Sequence, residues 1–166
     1  MKKIILITSM LVASMSFAQR SSGNELNLNL GFTAGAANLG AAYEMNKNEF
    51  LSWGGYFFMQ SEKDDAGVYQ TMALGALMKV HLIQKNDVNA YIAPGFGLTI
   101  INDFVDATTG KKDDKTVFGP SMRIGAQYHL NSTTKLGIER ILFTNWFDDE
   151  APAAVEYTSA VLGFEF

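Results

Sequence analysis

The chain has 166 residues, 13 basic and 17 acidic side chains, a formal net charge of −4 at pH 7, and no cysteine. This length fits one domain, the lack of cysteine excludes disulfides and cysteine-ligated metals, and the acidic balance argues against a nucleic-acid partner. Hydrophobic residues nevertheless make up 48% of the chain, with 12 Phe, 6 Tyr and 2 Trp. The spacing of these apolar side chains therefore decides the fold.

Residues 1–18 have the composition of a secretory signal peptide. Two lysines follow the first Met, an apolar segment covers Ile4–Val12, and Ser16-Phe17-Ala18 places small residues around a cleavage position. The apolar segment is too short to cross a bilayer as a helix. We therefore expect a signal peptide over 1–18 and one domain over 19–166, in which no apolar run approaches the roughly 18 residues of a membrane helix.

Eight segments of that domain alternate between apolar and less apolar side chains with a period of two, which is typical of strands with two different faces. The predicted strands are Glu25–Thr33, Leu39–Met45, Leu51–Gln60, Val68–Ile83, Val88–Ile101, Val117–Leu130, Leu136–Trp146 and Glu156–Phe166. The Ala, Leu and Met residues of the fourth segment would also suit a helix. Its strict alternation before Lys79 favours a strand.

Two strands contain residues that interrupt this pattern. Pro94 lacks the N–H that a strand ladder needs, and because it lies beside Gly95 on the apolar face we expect a local bulge there. The alternation of the seventh strand fails at Arg140-Ile141-Leu142, and a bulge near Arg140 would restore it. The register of the seventh strand around Arg140 therefore stays open.

The connections between the strands alternate in length. Short turns follow the second, fourth and sixth strands, whereas longer and more charged loops follow the third, fifth and seventh, at Ser61–Gly67, Asn102–Lys115 and Phe147–Val155. The loop near Gly35 is an exception because it is short. An even number of strands places both termini on one side, so the long loops share the other side.

The two faces of the strands differ in a way that favours a membrane barrel. The less apolar face is poor in charge and rich in Gly, Ala, Ser and Thr, which suits the narrow interior of an eight-stranded barrel. The apolar face should then meet lipid, with aromatic girdles near the strand ends formed by Tyr43, Trp53, Tyr128, Trp146 and Phe166. A soluble barrel or sandwich, with the apolar face turned inward, remains the alternative.

The last strand, Glu156–Phe166, alternates apolar residues up to a final aromatic, and it resembles the C-terminal strand signal of bacterial outer-membrane β-barrels. The run Tyr91-Ile92-Ala93-Pro94-Gly95-Phe96-Gly97 is similar to the aromatic-then-Gly-x-Gly strand of the small family that includes the membrane domain of outer membrane protein A. The resemblance implies an all-β, eight-stranded antiparallel up-and-down transmembrane β-barrel in the bacterial outer membrane.

The same resemblance implies partners and a class of function. The expected partners are outer-membrane lipid, lipopolysaccharide and, through the C-terminal strand, the barrel-assembly machinery, for a chain that is a monomer. The expected function is a non-enzymatic barrel that supports the envelope or displays its loops. A channel for small or hydrophobic solutes and a lipid-modifying enzyme are the alternatives.

Strand parity predicts which charged and titratable residues point into the lumen. Besides the terminal Glu165 they are Glu44, Lys79, His81, Arg123, His129 and Glu139. Because the sixth and seventh strands are neighbours, we expect Glu139 to meet Arg123, with Lys79 the next basic group within reach. Buried charges must be paired, so an ion-pair network that fills the lumen is the favoured interpretation. A gated pore or a proton path is the alternative.

The other residues that could carry chemistry do not form a recognisable site. His129 with Ser132 could suggest a lipid-cleaving site, but the pair lies at a turn expected on the periplasmic side, whereas such sites open near the outer leaflet. Two His residues make a His-rich metal site implausible. The acidic segments Asp64-Asp65, Asp113-Asp114 and Asp148–Glu150 could hold divalent cations with lipopolysaccharide, but they lack the ligand order of a calcium loop, and solvated charge is the favoured interpretation. No catalytic, cofactor-binding or metal residue is therefore predicted.

Overall fold

The computed structural model describes residues 23–33, 36–48, 50–64, 67–85, 87–105, 112–146 and 154–166. The predicted signal peptide over 1–18 lies outside the described residues. Eight strands follow one another along the chain: β1 (Asn24–Thr33), β2 (Ala36–Asn48), β3 (Leu51–Asp64), β4 (Gly67–Lys85), β5 (Val88–Val105), β6 (Lys112–His129), β7 (Thr134–Thr144) and β8 (Ala154–Glu165).

Each strand pairs antiparallel with the next, and β8 pairs with β1 to close a barrel. The closing pair, which we call the seam, runs from Glu25 opposite Glu165 to Leu30 opposite Ala160. At one end of the seam the backbones of Asn24 and Phe166 exchange two hydrogen bonds of 3.0 Å. A closed barrel leaves no sheet edge with unpaired backbone groups. The predicted eight-stranded antiparallel barrel is confirmed.

The barrel has two different ends. The terminal end carries Asn24, Phe166 and the connections from β2 to β3, β4 to β5 and β6 to β7, and the loop end carries the other connections. Among the described residues there is no helix long and apolar enough to cross a membrane.

Several strands extend farther toward the loop end than the sequence predicted, although β7 ends at Thr144 and not at Trp146. Residues 61–64 of the predicted loop Ser61–Gly67 belong to β3 and Gly67 belongs to β4, and the two strands stay paired until Asp64 lies opposite Gly67. Likewise β5 and β6 continue past a register shift between Ile101 and Phe104, so that only 106–111 connect them. The sequence boundaries were predicted from the charged composition of these segments. They are wrong because a hairpin that extends beyond the apolar part of the wall can be polar on both faces.

Both predicted bulges are wrong. The pairing of β7 with β6 and β8 is continuous through Arg140, and the strand alternates regularly between inward and outward side chains. The register of β5 is unchanged across Pro94, which lies opposite Met122 of β6. The register shift in this part of the barrel lies instead in β4, between His81 and Ile83.

The apolar faces of the strands point outward and the less apolar faces point inward, as predicted. Large hydrophobic side chains are exposed all round the wall, up to 73% for Phe32. The expected girdle residues lie at the strand ends: the rings of Tyr43 and Phe166 are 6.3 Å apart at the terminal end, and Trp146 packs near Phe96 at the loop end. A soluble barrel or sandwich would bury these side chains, so that alternative is wrong.

Candidate functional site: the lumen of the barrel

Charged side chains fill the half of the lumen nearest the terminal end. Glu25, Glu44, Lys79 and Arg123 have relative exposures of 0%, and Glu139 has 1%. Each reaches the interior because it lies on the inward parity of its strand. Buried charges at this density are tolerated only when each one has partners of opposite sign.

These charges form one chain of alternating sign, which we call the charge ladder: Glu165, Lys135, Glu25, Lys79, Glu44, Arg123 and Glu139. It begins at the rim, where the side chain of Glu165 is 29% exposed. Lys135 Nζ lies 2.5 Å from Glu165 Oε1 and 2.6 Å from Glu25 Oε2. Glu25 Oε1 then lies 3.2 Å from Lys79 Nζ.

The inner part of the ladder continues through Lys79 and Arg123. Lys79 Nζ is 2.6 Å from Glu44 Oε2, and Arg123 Nη1 is 4.0 Å from Glu44 Oε1. Arg123 Nη2 lies 2.8 Å from Glu139 Oε2. The predicted pairing of Glu139 with Arg123 is therefore confirmed. Lys79 is not the next partner of Glu139, because it lies between Glu25 and Glu44.

Neutral donors bind the carboxylates that the basic groups do not fully neutralise. The inner end of the ladder, Glu139, accepts hydrogen bonds from Asn29 Nδ2 and from the Tyr91 hydroxyl, both of 2.8 Å. Asn27 Nδ2 donates to Glu44 Oε1 over 3.0 Å. Since the ladder has four acids and three bases, these donors stabilise its excess negative charge.

Sequence reasoning missed two members of the ladder, Glu25 and Lys135. Both share the inward parity of residues recognised on their strands, but both lie close to a strand end. Lys135 lies one residue before Leu136, the predicted start of the seventh strand, whereas β7 begins at Thr134. Extending the inward alternation of Glu139 and Gly137 by one residue before Leu136 would have identified Lys135 as a lumen residue.

The two predicted lumen histidines have different surroundings. His81 is buried, with Nδ1 2.9 Å from Asn89 Oδ1 and Nε2 3.1 Å from Ser52 Oγ. His129 lies at the terminal end of β6 and is only partly buried. Its backbone N–H donates to the carbonyl of Asp87 over 2.7 Å. Neither histidine is a member of the charge ladder.

Apolar side chains fill the next part of the lumen, toward the loop end. We call this part the aromatic layer. Its four rings are those of Tyr56, Phe58, Phe143 and Tyr157, and its buried aliphatic side chains are those of Ala42, Ala73, Leu77 and Ile141. Ring centroids within the layer lie 5.5 to 6.3 Å apart. The guanidinium carbon of Arg123 lies 5.5 Å from the centroid of Phe58. The ladder and the aromatic layer are therefore in direct contact.

Glycines on the inward faces make room for these rings. A Cβ at Gly75 or Gly97 would lie 2.6 or 2.7 Å from the Tyr56 hydroxyl, and a Cβ at Gly40 would lie 2.0 Å from the ring of Phe58. Larger side chains at these positions would overlap the rings. The small inward residues recognised in the sequence therefore leave the space into which the rings of the aromatic layer pack.

A recess of about 450 Å³ opens at the terminal end, lined by Asp87, Tyr128, His129, Leu130, Asn131 and Ser132. It brings His129 and Ser132 to one place, but in the described part of the chain the His129 ring makes no hydrogen bond to Ser132 or Asp87. Asn131 Oδ1 accepts hydrogen bonds from the backbone N–H groups of Thr133 and Thr134, which orders the turn. The described residues contain no group of three or more His, Asp or Glu placed to hold a metal ion.

Comparison with solved structures shows the same fold. Neisserial surface protein A is 12% identical over 87% of this chain and 95% of its own, with a TM-score of 0.60. Ail, the attachment invasion locus protein of Yersinia pestis, is 11% identical over 89% and 100%, with a TM-score of 0.57. The outer membrane enzyme PagL is 15% identical over 87% and 99%, with a TM-score of 0.50. No family model and no curated protein matches the chain.

The structural similarity establishes the fold. Sequence identities this low leave the activity open, particularly since PagL is described as an enzyme. The membrane location follows from the apolar outer face of the strands and from the closure of the sheet into a barrel. A closed barrel of eight strands with an apolar outer face satisfies its backbone within lipid, and barrels of this kind span bacterial outer membranes. The chain therefore has the fold of the small eight-stranded β-barrels of the bacterial outer membrane, and that membrane is where it resides.

Proposed function

We propose that this protein is a non-enzymatic outer-membrane barrel that supports the envelope or displays its loops, and that its lumen is closed to solutes. The observation that carries the proposal is the filling of the lumen by two layers in series. Across the charge ladder, Lys79 and Arg123 are fully buried, and above them the aromatic layer contains Phe58 with a relative exposure of 0%. A barrel of eight strands has little interior space beyond its side chains.

The proposal includes an orientation and an assembly route. Residues 1–18 would direct export, and the terminal end would face the periplasm with its short turns. The loop end would face outward among lipopolysaccharide, with 106–111 and 147–153 within its longer connections. The strand that ends at Phe166 would be recognised by the barrel-assembly machinery.

Conductance across a planar bilayer tests the closed lumen. We expect no current steps from the wild-type protein. The double variant Phe58→Ala with Phe143→Ala removes two rings of the aromatic layer and should conduct more than the wild type, which makes it a control for insertion. Wild-type steps as large as those of the double variant would favour the small-solute channel instead.

Mass spectrometry of lipid A tests the non-enzymatic part of the proposal. We expect the same lipid A species from cells with and without the protein, because the recess with His129 and Ser132 lies at the terminal end, which this proposal places in the periplasm, away from the outer leaflet. The Ser132→Ala variant is the matched control. Loss of an acyl chain with the wild type, but not with Ser132→Ala, would establish a lipid-modifying enzyme.

A further inference from the structure

One charged side chain lies where an outer-membrane barrel normally presents only apolar ones. Arg140 points outward in the middle of β7, between Ile138 and Leu142, and its side chain is 68% exposed. No other described residue places a charge on the outward face at mid-strand. Arg140 contacts the carboxylate of Glu156 on β8, whose side chain is 49% exposed.

This arrangement is unfavourable for a barrel surrounded only by lipid. An arginine on the lipid face is most costly near the middle of the bilayer, and the cost falls toward the interfaces. The contact with Glu156, which lies opposite Leu142 nearer the loop end, neutralises the charge of the pair but leaves both side chains exposed on the outer wall. A partner that covers both groups would relieve this cost.

The outward side chains of β8 beside Arg140 are small. Thr158 lies opposite Arg140 on β8, and the next outward residue of that strand is Ala160. Larger outward side chains lie on β7 itself, at Ile138, and on other strands, at Phe57 and Leu74 for example. Association within a membrane depends on close packing of small residues and on polar contacts, because lipid is as apolar as the protein wall.

We propose that the outward faces of β7 and β8 form the interface of a symmetric homodimer. A two-fold axis along the membrane normal, passing between these strands, places β7 of each copy against β8 of the other. Each Arg140 then faces the small side chains of the partner's Thr158 and Ala160, and its guanidinium can reach the partner's Glu156. Such an interface is self-complementary, as two-fold symmetry requires.

The balance of charge favours a second copy over an anionic lipid. A phosphate would be attracted by Arg140 and repelled by Glu156 at the same place. A second copy presents an opposite charge to both groups. The monomer expected from the sequence stays a prediction. Measuring the oligomeric state in lipid decides between that monomer and the proposed dimer.

Site-specific crosslinking tests the dimer, and the absence of cysteine from the chain makes single-cysteine variants unambiguous. The variants Thr158→Cys and Ala160→Cys place a thiol in the interface, and Ala76→Cys places one on the outward face of β4, across the barrel. Folded protein in lipid vesicles at low density is oxidised and examined on a non-reducing gel. We expect at least tenfold more dimer from one of the two interface variants than from Ala76→Cys.

Two results would overturn the proposal. Equal crosslinking at all three positions would show random collision, and no crosslinking at Thr158 or Ala160, in vesicles or in native membranes, would show a monomer or a lipid-covered wall. Adding Arg140→Leu and Glu156→Leu to the crosslinking variant should reduce the dimer to the level of Ala76→Cys. This variant makes the wall more apolar, and its heat-dependent gel migration verifies folding. A dimer unchanged by this substitution would equally refute the role of the charges.

Discussion

Glu139 illustrates how single residues keep charge stable inside the barrel. Its carboxylate is bound by one guanidinium, one amide and one phenol, so both oxygens have donors. The ladder then extends this neutralisation from Glu139 to the rim. Removing one member leaves its neighbour as an uncompensated buried charge, which is more costly than the loss of the pair itself.

We expect the Glu139→Gln variant to lower the free energy of unfolding by about 3–5 kcal/mol, because Arg123 loses its nearest carboxylate in a fully buried position. The matched control is Glu165→Gln at the exposed end of the same ladder, which should cost at most about 1 kcal/mol. Urea unfolding in lipid vesicles measures both. Equal midpoints would mean that Glu139 is hydrated, and a water-filled lumen would then have to be reconsidered.

The inward glycines provide a second test at the scale of single residues. A Cβ at Gly97 would lie 2.2 Å from the carbonyl oxygen of Leu74 and 2.7 Å from the Tyr56 hydroxyl. We expect Gly97→Ala to destabilise the barrel by about 1–3 kcal/mol, as overpacking typically does. Gly55→Ala is the control, since its Cβ would meet no atom closer than 3.4 Å. Similar urea midpoints for the two variants would contradict the tight packing of the aromatic layer.

At the scale of elements, β7 shows where a pattern of period two stops being informative. Below Arg140 the inward residues are polar and the outward ones apolar, so the faces are distinct. Above Arg140 the inward residues Ile141 and Phe143 belong to or pack with the aromatic layer, so both faces are apolar. The alternation fails in the sequence because the aromatic layer makes the inward face apolar, and no bulge is needed to explain it.

The register of β7 can be tested with spin labels. In the continuous register, Leu142 and Thr144 face the same way as Ile138, toward lipid. We expect labels at Leu142 and Ile138 to be relaxed to a similar extent by oxygen, which concentrates in the bilayer. A bulge at Arg140 would turn Leu142 toward the lumen, and a label there would then be protected relative to Ile138.

At the scale of the whole molecule, local periodicity predicted the number of strands, the composition of the two faces predicted which one meets lipid, and the resemblance to small outer-membrane barrels implied closure. The sequence also predicted the pairing of Arg123 with Glu139, since these residues lie on neighbouring strands. It could not predict that Lys79 on β4 meets Glu25 on β1, because that contact crosses the interior. Contacts across the lumen depend on how the strands tilt around the barrel, which no single strand encodes.

The seam yields a prediction for assembly. The backbone of Phe166 exchanges two hydrogen bonds with Asn24, and its ring lies 6.3 Å from that of Tyr43. We expect deletion of Phe166 to lower the yield of heat-modifiable protein in the outer membrane, whereas Phe166→Tyr should keep both the hydrogen bonds and the ring. Yield is measured on gels with and without heating. Unchanged yield after the deletion would argue against a role for this residue in closure.

The seam also has a kinetic consequence for folding. Its paired residues, Glu25–Leu30 with Ala160–Glu165, are the most distant in sequence of any neighbouring strands, so their closure has the largest entropic cost. Lys135 of β7 binds Glu165 of β8 and Glu25 of β1, and it thereby fastens the three strands around this junction. The ion pairs of Lys135 with Glu165 and Glu25 would then form last during insertion. Their rupture would be the first step when the barrel is unfolded by force.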